Sequence, residues 1–212
     1  MPMNPRPAAA CLAFLLAAPI PARAQDAPRA RSWFATIYLG QWFSMSEPHA
    51  GTAGSQDHGF QDTYFVSGLL GRVLMNDLRT GLPLVGGLID GGSLELEAQL
   101  GQHFGLQNQV EGTLALMLRS RDFALGGGRL NLAVGEGLSY AFSRPDYEGI
   151  AHGEDPVRFL NYLAFEAEYT HPALGGISVV PRLHHRSGIF GVIAPRGSGS
   201  DFIGIGLRMT LR

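Results

Sequence analysis

Apolar and polar residues alternate one for one along most of the chain after residue 31. Around residues 94–101, for example, the order is Leu-Glu-Leu-Glu-Ala-Gln-Leu-Gly. A side-chain period of two is typical of a β-strand, because successive side chains point to opposite faces. We predict a strand at each of eight segments, with the phase of the alternation ambiguous in the first, second and fifth: Trp33–Phe43, Thr63–Leu74, Ser93–Phe104, Val110–Arg119, Arg129–Phe142, Phe159–Thr170, Ile177–Gly188 and Asp201–Leu211.

The polar faces of several of these segments carry ionised side chains in mid-strand, opposite stripes of leucine. A membrane barrel turns its apolar side outward and holds such polar groups in its lumen, and a tilted strand crosses a bilayer in roughly 9–11 residues. We therefore predict an all-β fold, an eight-stranded antiparallel transmembrane β-barrel of the outer-membrane type. A soluble lipocalin-like barrel is the alternative, and it would place Leu94, Leu96 and Leu100 inside and the glutamates outside.

Ion pairs and connections complete the predicted barrel. We expect Glu95, Glu97, Glu166 and Glu168 to form structural ion pairs with Arg119, Arg182 and Arg208, and His184 to face the lumen.

With both chain ends periplasmic, residues 44–62, 105–109, 143–158 and 189–200 are the outer loops, and 75–92, 120–128 and 171–176 are the periplasmic turns. The segment 75–92 is long for such a turn, and Gly135-Glu136-Gly137 is interpreted as a β-bulge.

The first residues have the features of an export signal. Arg6 precedes a short apolar run over Ala8–Ile20, and Ala22-Arg23-Ala24 has the small-x-small pattern of a signal-peptidase site. The apolar run is too short to span a bilayer as a helix. We therefore predict a signal peptide over residues 1–24 and a single barrel domain over residues 25–212.

Composition agrees with an exported barrel and disfavours other classes. The chain has 29 glycines among 212 residues, and only 16% of its residues are charged. The formal net charge of −2 becomes −4 once Arg6 and Arg23 are removed, and no basic block favours nucleic acid. The only cysteine, Cys11, lies within the predicted signal peptide, so the mature chain has no disulfide or cysteine metal site.

Candidate chemistry lies on the apolar faces of the last two segments. His185 and Ser187 share a face near the end of the seventh segment, and Asp201 begins the eighth on its apolar face. Adjacent antiparallel strands bring same-face residues within about 5–8 Å, so the imidazole can reach the hydroxyl and the carboxylate can orient the imidazole. The backbone N–H groups of Gly188 and Ile189 are candidates for an oxyanion site. Chance polar residues near the rim are the other interpretation.

The sequence around these residues resembles a known family. Arg182-Leu-His-His-Arg-Ser-Gly-Ile-Phe-Gly191, followed by Gly199-Ser-Asp-Phe-Ile-Gly-Ile-Gly-Leu-Arg208, is similar to the C-terminal part of the lipid A 3-O-deacylase (PagL-type) family. Members are eight-stranded outer-membrane barrels that hydrolyse the ester joining a hydroxyacyl chain to the 3-position of lipid A. Their motif is His-x-Ser near the end of the seventh strand, with a Glu roughly a dozen residues later and the site on the barrel exterior.

The resemblance implies roles and a substrate for this chain. Ser187 would be the nucleophile and His185 the general base, then the acid to the leaving sugar hydroxyl, with lipid A or lipopolysaccharide in the outer leaflet as partner and no cofactor or metal. The sequence departs from the family in two places at the site: Asp201, fourteen residues after Ser187, stands for the Glu, and Gly188 stands for the Asn that members commonly have after the serine. The chain also ends in Arg212 rather than the aromatic residue common in outer-membrane barrels.

Two classes of function follow. The first is an outer-membrane serine esterase that acts on lipid A. The second is a non-catalytic eight-stranded barrel, structural or adhesive, in which the His-x-Ser motif is decayed or coincidental. The position of Asp201 discriminates them, because a carboxylate that cannot approach His185 favours the second class.

Overall fold

Long β-strands make up most of the computed structural model, which describes residues 32–44, 59–153 and 155–211. The predicted signal peptide lies outside these residues. The strands are β1 (Trp33–Ser44), β2 (Gly59–Asn76), β3 (Ser93–Gly105), β4 (Gln109–Arg119), β5 (Phe123–Leu125), β6 (Gly128–Ala141), β7 (Phe159–Thr170), β8 (Ile177–Ser187) and β9 (Gly199–Leu211). The helices are α1 (Pro83–Ile89) and α2 (Asp146–His152), with 3₁₀ turns at Pro172–Leu174 and Ile189–Gly191.

The eight long strands form a closed antiparallel sheet. Each pairs with its neighbour along the chain, β4 pairs with β6, and β1 also pairs with β9 to complete the ring. The three-residue β5 only lengthens the hairpin with β6. The predicted eight-stranded antiparallel barrel is thus confirmed. The strands match the eight predicted segments to within two residues at each end, except that β2 begins four residues before Thr63.

The apolar faces point out of the barrel and the charged faces point into it. Leu100 is 59% exposed and Leu96 is 38% exposed, whereas the intervening Glu97 is 2% exposed. Exposed apolar side chains encircle the sheet: Ile37, Leu39, Leu70, Leu114, Leu116, Leu132, Leu138, Phe165, Ile203, Ile205 and Leu207. This is the distribution of transmembrane barrels, and the soluble lipocalin-like alternative, with its leucines inside, is wrong.

Buried ion pairs fill the part of the lumen nearer to the connection between β2 and β3. Arg119 donates to Glu95 at 3.1 Å and to Glu166 at 2.7 Å. Arg182 donates to Glu166 at 2.6 Å and also to Glu97. Arg208 and Glu168 complete the group: Arg208 Nη2 lies 3.0 Å from Glu95 and Arg119 Nη1 lies 3.1 Å from Glu168. A buried charge is tolerated only when it is paired and hydrogen-bonded, so the predicted structural ion pairs are confirmed and hold the strands around one interior.

A second buried cluster surrounds Glu111, nearer to the opposite end of the lumen, where β3 ends and β4 begins. Its carboxylate lies 2.7 Å from Nε2 of His103 and 3.0 Å from Nε2 of His184, and it accepts from the Ser139 hydroxyl at 2.7 Å. Because an ionised carboxylate only accepts, both imidazoles donate from Nε2. His184 therefore faces the lumen, as predicted, on the opposite side of β8 from Ser187.

The long connection between β2 and β3 is a small folded unit. It contains α1, which the sequence analysis did not predict in residues 75–92. Asp90, just after α1, accepts from the backbone N–H of Thr80 at 2.7 Å and from its hydroxyl at 2.9 Å, and these hydrogen bonds hold the pKa of the Asp90 carboxyl below its usual range. Among the described residues, neither α1 nor α2 could span a bilayer.

The predicted bulge at Gly135-Glu136-Gly137 is wrong. β6 pairs without a register shift through these residues with both β4 and β7. The two glycines are required by close approach instead, because a Cβ at Gly135 would overlap the sulfur of Met117 and a Cβ at Gly137 would overlap the carbonyl oxygen of Leu114. Register shifts occur elsewhere, in β1 after Gln41 and in β2 after Val73.

Arg182→Ala tests the buried ion pairs. Removing this guanidinium leaves Glu97 and Glu166 buried with fewer partners, and we expect the free energy of unfolding to fall by about 3–5 kcal/mol. The measurement is urea unfolding in detergent micelles, followed by tryptophan fluorescence. The control is Arg79→Ala, which removes an exposed pair with Asp77 and should change little. Equal losses in the two variants would contradict a network that holds the barrel together.

Candidate functional site

The ends of β8 and β9 place the candidate residues together on the outer surface. Along β8, Arg182, His184 and Arg186 are buried in the lumen, while His185 and Ser187 lie on the outward face. Asp201 lies on the outward face of β9, directly opposite His185 in the antiparallel register. We call this end of the barrel, where β8 ends and β9 begins, the upper end.

His185 and Asp201 form a hydrogen-bonded pair. Nδ1 of His185 lies 2.6 Å from Oδ1 of Asp201, and the two side chains are 27% and 18% exposed. Because the carboxylate accepts, Nδ1 is the donor, and Nε2 of a neutral ring carries the lone pair. A histidine held in this tautomer by a carboxylate can take a proton at Nε2, as in hydrolases that activate a hydroxyl nucleophile.

Ser187 lies two residues beyond His185 on the same outward face. Its register partner on β9 is Gly199, and its partner on β7 is Asn161. Among the described residues, no hydrogen bond joins the Ser187 hydroxyl to the His185 imidazole; such bonds are often long without substrate and tighten when it binds. The structure therefore brings His185 and Asp201 into contact. It places Ser187 next to His185 on the outward face of β8, two residues further along the strand.

A strained turn follows Ser187. Ile189 and Phe190 have positive φ angles of 49° and 53°, a conformation that costs of order 1–3 kcal/mol for a non-glycine residue. The carbonyl oxygen of Gly188 accepts from the N–H of Gly191 at 3.3 Å and of Ile193 at 3.1 Å, which closes the turn. The N–H groups of Gly188 and Ile189, predicted as oxyanion donors, belong to this turn. Backbone strain of this kind concentrates at functional sites.

A cavity of about 650 Å³ opens beside the three side chains. Its volume lies within the roughly 300–1,000 Å³ typical of ligand sites. Besides His185, Ser187 and Asp201, it is lined by Trp42, Phe43, Ser44, His152, Arg186, Gly188, Phe190, Arg196, Gly197, Ser198, Gly199 and Ser200. Aromatic rings and a cation thus stand next to the candidate nucleophile, a lining suited to a ligand with both apolar and anionic parts.

His152 is a cavity residue to which the sequence analysis assigns no role. It lies at the end of α2, its Nε2 is 2.9 Å from the carbonyl oxygen of Gly199, and its ring stacks on Trp42 with centroids 6.3 Å apart. Periodicity gives no signal for such a residue, because it comes from a connection between strands. The described residues contain no group of three or more side chains that could hold a metal ion.

The fold and site together define an eight-stranded antiparallel barrel whose outer surface carries a serine and a histidine–carboxylate pair at one end. Among solved structures, the crystal structure of the outer membrane enzyme PagL is similar, with a TM-score of 0.51 and 11% sequence identity over 84% of this chain and 99% of that chain. The sequence matches no family model, and no curated protein is significantly similar to it. At this identity the similarity establishes the fold.

Gly188→Ala tests the turn after Ser187. A Cβ at Gly188 would lie 2.6 Å from the carbonyl oxygen of Ala194, so the loop over residues 189–198 must move away. We expect trypsin to cleave after Arg196 about tenfold faster than in the wild type, because the loop opens more often. The control is Gly68→Ala on the outward face of β2, where a Cβ would meet nothing within 4 Å. Equal cleavage rates in both variants would show that this contact does not hold the loop.

Proposed function

We propose that the protein is an outer-membrane serine esterase that hydrolyses the 3-O-linked acyl chain of lipid A. The observation that carries the proposal is the 2.6 Å contact between His185 Nδ1 and Asp201 Oδ1 on the outward face, next to Ser187. The same side chains in a lumen could not meet a membrane lipid. The proposal includes membership of the PagL-type family, which the sequence motif and the shared barrel fold support.

The surroundings of the site suit an ester at the boundary between acyl chains and headgroups. Below the site, the outward face of β9 is apolar and exposed at Ile203, Ile205 and Leu207. Above it lie the exposed Phe190 and Arg196 of the β8–β9 connection. An apolar band of this kind contacts lipid acyl chains in membrane barrels. In the proposed orientation both chain ends are periplasmic and the upper end faces the cell exterior. Ser187 then meets the ester of a lipid in the outer leaflet without extraction of that lipid.

The proposed chemistry is acyl transfer through Ser187. Nε2 of His185 accepts the hydroxyl proton as Oγ attacks the ester carbonyl, and Asp201 stabilises the resulting imidazolium. The oxyanion accepts from the N–H groups of Gly188 and Ile189. His185 then gives its proton to the leaving sugar hydroxyl, and the acyl group stays on Ser187. Water, activated by the same imidazole, releases the fatty acid and restores the serine.

The surroundings of the site are compatible with both of its departures from the family motif, Asp201 in place of Glu and Gly188 in place of Asn. Asp201 stands directly opposite His185 across the β8–β9 pair, where Cβ atoms are about 4.5–5.5 Å apart, so the shorter acid reaches the ring. Gly188 lies against Ala194, which leaves no room for an asparagine side chain. The oxyanion site would then consist of backbone donors alone. In a non-catalytic barrel we would expect the Asp201 carboxylate to lie out of reach of His185. The 2.6 Å contact between Nδ1 of His185 and Oδ1 of Asp201 therefore disfavours that alternative.

Mass spectrometry of lipid A tests the proposed activity. Cells that express the wild type should lose one 3-O-linked acyl chain from lipid A, and cells that express Ser187→Ala or His185→Ala should retain it, because the nucleophile or its base is missing. Ser143→Ala is the matched control, since Ser143 is an exposed serine in the β6–β7 connection at the same end of the barrel. An intact acyl chain with the wild type, or the same loss with Ser187→Ala, would refute the proposal.

The role of the acid is tested with Asp201→Asn. The amide keeps the shape of the side chain but cannot stabilise the imidazolium, and in triads this change lowers kcat on the order of 10⁴-fold. The measurement is the initial rate of acyl release in mixed micelles, per folded molecule. Asp62→Asn, an exposed aspartate on β2 at the same end of the barrel, should behave as the wild type. A rate for Asp201→Asn close to that of the control would mean that Asp201 has no part in the reaction.

A further inference from the structure

Two side chains of α2 contact the start of β9, although α2 belongs to the connection between β6 and β7. They are His152, in the last turn of the helix, and Glu148, in its first turn. Both contacts fall on residues that immediately precede Asp201. The helix therefore touches the strand that carries the acid of the proposed esterase.

The first contact is a hydrogen bond to the backbone. A carbonyl oxygen only accepts, so His152 donates from Nε2 to Gly199 at 2.9 Å. Gly199 has a φ of 114°, which an L side chain rarely adopts, and it stands opposite Ser187 in the β8–β9 register. Stacking on Trp42 fixes the orientation of the ring. His152 thus holds the point at which the chain enters β9.

The second contact is a buried, charge-assisted cluster on the inner side of the same strands. Oε1 of Glu148 accepts from the Ser200 hydroxyl at 2.8 Å and lies 3.3 Å from Nη1 of Arg186. Gln107 also donates to this oxygen, at 3.4 Å. Ser200 and Arg186 are register partners, and they lie next to Asp201, His185 and Ser187 in the chain. The carboxylate therefore joins the two strand ends whose opposite faces carry the candidate triad.

We propose that His152 and Glu148 are positioning residues of the esterase, which hold the Gly199–Asp201 segment so that the Asp201 carboxylate and Ser187 keep their places relative to His185. The inference rests on the proposed function and deepens it. Ends of strands open more readily than their middles, and a displacement of about 1 Å at a reacting group can lower a rate on the order of 10²-fold. A helix fixed to both strand ends prevents that displacement.

Variants of α2 test the inference. His152→Ala removes the hydrogen bond to Gly199, and we expect kcat for lipid A deacylation to fall on the order of 10²-fold with little change in KM. His152→Gln retains an N–H that can reach the carbonyl oxygen, and it should recover most of kcat. Glu148→Ala should resemble His152→Ala, and Glu148→Gln, which keeps an oxygen for Ser200, should lose less. Ile150→Ala is the control, because Ile150 lies on the same helix and is 74% exposed.

The outcomes separate positioning from folding. Rates are expressed per folded molecule, determined from the heat-dependent shift of barrel mobility in SDS gels. A merely structural role would lower the folded fraction but leave kcat per folded molecule unchanged, and that result would overturn the inference. A loss confined to KM, or a His152→Gln variant as slow as His152→Ala, would also overturn it.

A second measurement distinguishes failure of the inference from failure of the proposed function. The rate at which an alkyl fluorophosphonate labels Ser187 reports nucleophile activation without lipid A. If the wild type leaves lipid A intact, the proposed substrate is wrong, and slower labelling in His152→Ala than in Ile150→Ala still supports positioning. Equal labelling of these two variants overturns positioning alone. Absence of Ser187 labelling in the wild type overturns both proposals.

Discussion

Strict alternation of side chains across a closed sheet is the constraint on which the structure depends. In β8 it sends Arg182, His184 and Arg186 into the lumen and His185 and Ser187 to the outside. A shift of one residue would bury the imidazole and expose the arginines, so the paired charges of the lumen also fix which face carries the candidate chemistry. The interior ion pairs and the outer site are two consequences of one register.

Arg186 connects the buried charges of the lumen with the candidate site at the upper end of the barrel. Arg186 lies between His185 and Ser187 in the chain, yet its guanidinium lies within the barrel, 3.3 Å from Glu148 and 3.7 Å from Glu111. The strand segment that carries the proposed base and nucleophile is therefore anchored from behind by charges that cannot leave the interior at low cost. A site on a rigid strand pair holds its geometry more closely than a site on loops, which suits a proposed reaction that depends on the alignment of three side chains.

Local patterns predicted much of this structure. The positions of the eight strands, the side chains that the clearly alternating strands turn outward, and the approach of Asp201 to His185 follow from a period of two and from the pairing of consecutive strands. Features that depend on distant neighbours could not be predicted: α1 within residues 75–92, the continuous register at Gly135 and Gly137, and the contacts of His152 and Glu148 with β9. The glycines illustrate the reason, since Met117 and Leu114, which crowd them, belong to another strand.

The central proposal is that Ser187, His185 and Asp201, which lie together on the outward surface of β8 and β9, act as one catalytic unit on a membrane lipid. A crystal structure of the protein after reaction with a long-chain alkyl fluorophosphonate tests it most directly. We expect phosphorus bonded to Oγ of Ser187, the alkyl chain along the outside of β8 and β9, and Nδ1 of His185 still hydrogen-bonded to Asp201. An adduct on another residue, an unmodified Ser187, or these side chains turned into the lumen would contradict the account.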